Sequence, residues 1–269
     1  METPQLVASD VDGTLLGVNE RVSERTTATV ARVLATGTPF VLVTGRPPRW
    51  VPNVASDAGV DGYAVCANGA VLYDIGRDQV LAQYGLEPEM LSDVGRALSA
   101  AVPGVAFATE RVGVSANDPD VRPFVAEEEF TNVWPEAAGR VTRAEMFGHS
   151  AIKMLVRHSG MTSAALAAAA NEVLRGDVIV TYSSNSGLIE ISASGVTKAT
   201  GLNEVAQRFG VQAPGIVAFG DMPNDVPMLQ WAGHGVAMAN AHQDALDVAD
   251  EVTASHTDDG VAQILERWF

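Results

Sequence analysis

Lysine is almost absent from this chain. Of 17 basic residues, only Lys153 and Lys198 are lysines. Where lysine survives so strong a bias to arginine, a site that needs a compact ammonium on a flexible stem is one explanation, because a planar guanidinium fork cannot replace it. Cysteine is nearly missing too. With Cys66 alone, no intramolecular disulfide can form, so the chain needs no oxidising compartment. Positive charge is scarce: the formal net charge is −16. Such a balance argues against nucleic acid or an anionic membrane surface as the main partner. No apolar run approaches the ~18 residues of a membrane span, and the opening "METPQLVASD" lacks the basic segment and apolar run of a secretory signal. The expectation is a cytoplasmic protein. The five histidines show no metal-ligand spacing, and Cys66, in an apolar strand, reads as a small buried hydrophobe.

What is present is an α/β pattern. At 269 residues the chain suits a large core with a second module. The first third alternates apolar strands ("QLVAS", "PFVLVTG", "GYAVCA") with helices. Ser23 reads as the N-cap of "SERTTATVARVLATG", and Gly37 lies past its end. The last third repeats this texture, with "GIVAFG" and "HGVAMA" as strands. Apolar strands alternating with helices predict a doubly wound parallel sheet. The middle differs: longer helices such as "GMTSAALAAAANEVLRG" alternate with strands such as "GVAFATER", "SAIKMLVR" and "DVIVTYSS". An α/β module over 84–188 is therefore expected as an insertion between core segments 1–83 and 189–269.

In an open parallel sheet, ligands bind beyond the carboxyl ends of the strands. There the first strand delivers "DVDGT" with Asp10 and Asp12. The second delivers Thr44, Gly45 and Arg46, and the third Asn68 and Gly69. "GIVAFGDMPND" delivers Asp221, Asn224 and Asp225, and a helix starting near Thr197 carries Lys198 in its first turn. Four carboxylates at one sheet edge repel one another, and a hard divalent ion resolves this. Oxygen ligands without histidine or cysteine favour Mg²⁺ over zinc. Mg²⁺, a lysine, a threonine and exposed turn amides suit a phosphoryl group, and a carboxylate is available to attack phosphorus.

"DVDGTLL", "VTGR", "GVTK" and "GDMPND", in this order, resemble the four motifs of the haloacid dehalogenase superfamily. The insertion between the second and third motifs matches the position of the type C2 (IIB) cap of its Cof-like phosphatases. "CANGA", "LIEISASGVTKATGL", "GHGVAMANA" and "SHTDDGVAQIL" agree with this, so the resemblance covers essentially the whole chain. It implies a Rossmann-like core, Mg²⁺ as cofactor and a small phosphorylated metabolite as partner, with no nucleic acid and no membrane. The protein itself is expected as a monomer or homodimer. Asp10 becomes the nucleophile that forms an aspartyl phosphate, and Asp12 the general acid and then base. Thr44, Gly45, Lys198 and Asn224 bind the phosphoryl group. Asp10, Asp221 and the Asp12 carbonyl ligate the metal, with Asp225 behind them. Thr197 stands where serine is common, which removes no functional group.

Other residues admit two readings each. Arg46 and Asn68 are possible substrate contacts, or respectively a partner for a surface acid and a turn residue. Lys153 and Glu190 are possible substrate contacts as well, or polar positions on alternating strands. His256 and Asp259 read as turn and cap residues. The expected activity is Mg²⁺-dependent hydrolysis of a phosphomonoester. The alternatives are a phosphomannomutase-like transferase and a non-catalytic metabolite-binding protein.

Overall fold

The computed structural model describes residues 2–131 and 139–269. They cluster into two compact units: Met1–Ala82 with Thr197–Phe269, and Gln83–Val196.

The first unit is built on an eight-stranded sheet. Its order is Glu251–Val252, His234–Ala237, Ile216–Gly220, Leu6–Ser9, Phe40–Val43, Tyr63–Cys66, Val71–Asp74, Gln79–Gln83. The strands from Glu251–Val252 to Tyr63–Cys66 run parallel, and Val71–Asp74 pairs antiparallel with Tyr63–Cys66. From Leu6–Ser9 the chain first adds strands on one side, then returns after the insertion to add them on the other. Leu6–Ser9 and Ile216–Gly220 therefore flank the switch point, where a doubly wound sheet binds its ligand. Both strands are wholly buried, as expected for strands covered on both faces. The Lys198–Phe209 and Val226–Trp231 helices pack one face, with Leu202, Val205 and Met228 against Leu6, Ala8, Val43 and Ala218. The Glu24–Ala35 helix packs beside Gly260–Leu265. It is capped as expected: the Ser23 hydroxyl accepts the Thr26 N–H at 3.0 Å.

The second unit carries a six-stranded sheet, in the order Val178–Thr181, Leu188–Ala193, Lys153–Arg157, Ala106–Glu110, Phe124–Ala126, Gly139–Arg140. The Pro88–Ala101 and Ser163–Leu174 helices bury Leu91, Leu98 and Leu166 against Phe107, Met154, Val156, Ile189 and Ile191. Because strand side chains alternate between faces, Lys153 and Glu190 lie on the face away from those helices.

The return to the first unit comes at Thr197 rather than 189. Leu188–Ala193 pairs antiparallel with Lys153–Arg157 and with Val178–Thr181, in the second sheet. An apolar strand before a helix reads the same in sequence whichever sheet it joins, and only long-range pairing decides. Within the segment expected over 84–188, residues 132–138 lie outside the described residues.

Candidate active site

Asp10 is the first residue beyond the Leu6–Ser9 strand, and its N–H donates to the Phe219 carbonyl at 2.9 Å. The chain then turns sharply. Gly13 has φ +74°, and a side chain there would collide with the Asp221 carboxylate. Only glycine lets the first loop lie directly on that acid. Thr14 completes the contact, its hydroxyl donating to Asp221 Oδ1 at 3.0 Å.

Lys198 is the first residue of the Lys198–Phe209 helix. Thr197 caps that helix, its hydroxyl accepting the Thr200 N–H at 3.2 Å. A cation at a helix N-terminus opposes the macrodipole, at about 0.3–1 kcal/mol. The position is tolerated because the ammonium is fully buried between two carboxylates, 2.5 Å from Asp10 Oδ1 and 2.5 Å from Asp225 Oδ1. Hydrogen bonds to charged groups contribute roughly 1.5–3 kcal/mol each, so the carboxylates outweigh the dipole. Burial works against the ammonium, yet Asp10 and Asp225 prevail and push its pKa up.

Asp225 is committed at both oxygens. Oδ1 holds Lys198, and Oδ2 accepts the N–H groups of Asp221 at 3.0 Å and Met222 at 2.9 Å, which ties the "GDMPND" turn to itself. Oxygens of Asp10, Asp221 and Asp225 lie within 4.8 Å of one another, all three residues buried. Burial pushes the Asp10 carboxyl well above the usual carboxylate range. Asp225 and Asp221 add to the effect and Lys198 opposes it. Asp221 is pushed up to about 7, first by burial and then by Asp225, against the pull of Thr14 and Lys198. Three buried acids facing one lysine form a site with excess negative charge and an all-oxygen donor set. That chemistry fits a hard divalent cation such as Mg²⁺, which Asp10 and Asp221 could hold.

Thr44 is fully buried at the end of the second strand, and its hydroxyl accepts the Arg46 N–H at 3.0 Å. Gly45, half-buried, lies between them. Arg46 pairs with a site acid, Asp12, by a two-pronged bond: Nε to Oδ2 at 2.8 Å and Nη2 to Oδ1 at 2.5 Å. The Asp12 side chain thus faces Arg46, apart from the Asp10–Asp221–Asp225 group, and is 53% exposed. Asn68 and Asn224 are both buried and bonded to each other, Asn224 Nδ2 donating to Asn68 Oδ1 at 3.1 Å. Among the described residues, the buried Asn224 Oδ1 has no hydrogen-bond partner. In the second unit, Lys153 pairs with Glu190 at 3.1 Å, both side chains buried.

Several contacts that build the site escape sequence reasoning. The Asn240 side chain donates to the Gly13 carbonyl at 2.9 Å and accepts the His256 N–H at 3.0 Å. The His256 ring bonds the Leu16 carbonyl at 2.8 Å. "MANA" and "SHTDDG" therefore brace the loop that carries both catalytic candidates. Asp259 stands at the N-cap of Gly260–Leu265 but makes no side-chain capping bond there, and instead accepts the Ser23 hydroxyl at 2.5 Å. Gly69 and Gly201 are equally hidden. A side chain on Gly69 would overlap the Thr197 carbonyl, and one on Gly201 would overlap Val65. The start of the Lys198 helix thus rests directly on the "CANGA" turn. The available signal was position: Gly69 and Asn240 lie just beyond core strands, and Gly201 lies near the start of the Lys198–Phe209 helix.

Comparison with known proteins gives the family and the fold. The profile described as haloacid dehalogenase-like hydrolase matches residues 7–265. The chain is 30% identical over 279 residues to the Bacillus subtilis (strain 168) 5-amino-6-(5-phospho-D-ribitylamino)uracil phosphatase YitU, covering 100% of this chain and 99% of that protein. The fold superposes on BT1666, a haloalkanoate-superfamily phosphatase from Bacteroides thetaiotaomicron, with TM-score 0.81 at 23% identity, covering 99% and 95% of the two chains. It also superposes on the subclass IIB sugar phosphatase BT4131, with TM-score 0.80 at 22% identity and 98% of each chain covered. Among the described residues, no helix is long and apolar enough to cross a membrane.

Proposed function

The chain belongs to the haloacid dehalogenase-like hydrolase family and is a phosphatase, and we propose that it hydrolyses the phosphomonoester of a small metabolite through an aspartyl phosphate on Asp10. The observation that carries this reading is the buried Asp10–Lys198–Asp225 bridge at the switch point of the sheet. A lysine held on one oxygen of a buried carboxylate aims that group and neutralises charge as a phosphoryl group approaches.

Asp10 attacks phosphorus. As that bond forms, the bond from phosphorus to the leaving oxygen breaks, and Asp12 gives the leaving oxygen a proton. Water then attacks the same phosphorus, Asp12 takes the water's proton, and Asp10 and phosphate are released. The Thr44 hydroxyl and the Gly45 amide bind phosphoryl oxygens, and Lys198 holds the nucleophile. Asn224 is assigned to the phosphate end of the site through its amide nitrogen: Asn68 Oδ1 takes one Nδ2 hydrogen, which orients the amide and leaves the other to donate. Asp10, Asp221 and the Asp12 carbonyl would hold Mg²⁺, which when bound offsets the excess negative charge of the site and of the phosphate.

The substrate class follows from the relatives: YitU is named for a phosphorylated ribityl chain and BT4131 for sugars. A sugar or polyol phosphate fits this chain. The inserted unit is the part we assign to choosing the alcohol, and the cytoplasm is the compartment we assign to the reaction. A panel of phosphate esters assayed with Mg²⁺, beside Asp10→Asn, tests the reading. Mg²⁺-dependent release of inorganic phosphate, abolished in a folded Asp10→Asn protein, is expected. Retained turnover in that variant would remove the nucleophile assignment, and transfer of phosphate to sugar rather than water would make the protein a mutase.

A further inference from the structure

Asp12 lies two residues beyond Asp10, on backbone at φ −80° and ψ 123°, immediately before the turn at Gly13. Its carboxylate is engaged twice by Arg46, from Nε at 2.8 Å and from Nη2 at 2.5 Å. A guanidinium fork meets both carboxylate oxygens only when the two planes align, so the pair fixes the orientation of the Asp12 side chain. Arg46 is itself anchored on both sides of its Cα. Its N–H donates to Thr44 Oγ1 at 3.0 Å, and its carbonyl accepts the Ala67 N–H at 2.9 Å. The fork therefore reaches out from a braced stretch of backbone that also carries Thr44.

Stability does not account for this construction. The Asp12 side chain is 53% exposed and that of Arg46 20% exposed, so solvent screens the pair on the Asp12 side and its contribution to folding is modest. Orientation is what a two-pronged bond from a braced backbone supplies.

We propose that Arg46 is a positioning residue that acts through Asp12, holding the carboxyl group at the angle from which its proton reaches the leaving oxygen. This rests on the phosphatase reading with Asp12 as the general acid. In the step concerned, the Asp10 oxygen–phosphorus bond forms and the phosphorus–alcohol oxygen bond breaks. The proton on Asp12 passes to the alcohol oxygen as that bond breaks. Both Asp12 oxygens accept from Arg46 in the resting arrangement, so one must leave the fork and take a proton from solvent before the step, and the bond remaining on the other oxygen keeps the group aimed. Arg46 neither donates the proton nor binds phosphate in this account.

The test uses a pair of esters of nearly the same shape, phenyl phosphate and p-nitrophenyl phosphate, with Mg²⁺ and the full chain. kcat/KM covers the steps up to loss of the phenol, so it isolates the acid. General acid catalysis contributes typically 10²–10⁴-fold. Arg46→Met, which removes orientation but leaves the acid, should lose about 10–100-fold on phenyl phosphate. On p-nitrophenyl phosphate, whose phenol leaves without a proton, it should lose less than about threefold. In an Asp12→Asn background, Arg46→Met should add less than about twofold on either ester, because a residue that acts through another has nothing left to position. Arg46→Lys keeps the charge without the fork and should resemble Arg46→Met.

Equal losses on the two esters, a multiplicative loss in the Asp12→Asn background, or full recovery with lysine would each overturn the proposal, and the first two would make Arg46 a direct contact to phosphate or substrate. If Arg46→Met melts early by circular dichroism, Arg46→Gln takes its place. Wild-type protein that hydrolyses neither ester, or Asp10→Asn protein that hydrolyses both, would refute the phosphatase mechanism. Turnover by wild type with a dead Asp10→Asn isolates any failure to the role of Arg46.

Discussion

Replacing Gly69 by alanine should separate the architecture of the site from its chemistry. Gly69 has φ +105°, and an added Cβ would lie 2.6 Å from the Thr197 carbonyl carbon and 3.2 Å from the Thr197 nitrogen. Non-bonded carbon atoms rest about 3.5–4.0 Å apart. Backbone carrying Thr197 must therefore withdraw by roughly 1 Å. Thr197 is the cap of the helix whose first residue is Lys198, so the ammonium withdraws with it. A misplacement of about 1 Å is worth about 10²-fold in rate. The stability loss has two parts: roughly 1–2 kcal/mol for a left-handed conformation at a residue with a Cβ, and roughly 1–3 kcal/mol for overpacking. Gly59→Ala is the control. Its φ is +72°, but nothing lies within 4 Å of the added Cβ, so it should lose only the conformational part and no rate. The assays are p-nitrophenyl phosphate turnover with Mg²⁺ and urea denaturation. If Gly69→Ala turns over within about twofold of Gly59→Ala, the claim that the "CANGA" turn sets the lysine is refuted; the expected gap is about 10²-fold.

Three further outcomes are expected. Lys198→Met leaves Asp10 and Asp225 buried without their cation. Breaking a buried pair costs about 3–5 kcal/mol, so the melting temperature should fall sharply and phosphatase activity should vanish, whereas a wild-type melt would contradict the buried bridge. Asp221 has its folded pKa raised to about 7 from 3.8, so between those values the folded chain holds a proton that the unfolded chain has released, and metal-free stability falls as pH rises through that window. Differential scanning calorimetry in EDTA should show this fall, Asp221→Asn should flatten it, and Mg²⁺ should restore stability at pH 7.5 in wild type far more than in the variant. Cys66 is fully buried and burial pushes its thiol pKa up, so a colourless-to-yellow disulfide reagent should react with it only on unfolding; rapid labelling of native protein would show that the strand is accessible.

Much of the fold and site was legible because it is local. The apolar runs before Asp10, Thr44 and Asp221 declare buried parallel strands. In such a sheet the residue after each run must sit at the carboxyl edge, whatever else the chain does. That reasoning collects Asp10, Thr44, Asp221 and Asp225, and the helix start at Thr197 together with the scarcity of lysine adds Lys198. It also reads Ser23 and Gly37 as the limits of one helix, because caps depend on neighbours within one turn.

Tertiary structure decided which of those groups touch. Asp12 and Arg46 are 34 positions apart and Asn68 and Asn224 are 156 apart; no local pattern links either pair. Asp225 looked like one more acid, but a hydrogen-bonded turn and Lys198 occupy both of its oxygens. Lys153 and Glu190 looked like two separate contacts, but the pairing of strands Lys153–Arg157 and Leu188–Ala193 brings them together. The close approach of Gly13 to Asp221 and of Gly69 to Thr197 could not be read from composition or period either. Sequence by itself determined which side chains reach the sheet edge, since alternation and strand ends are short-range geometry. Their partners and their exact distances, and hence their charge states, were left to the packing of segments far apart in the chain, where burial and one shared cation set the balance.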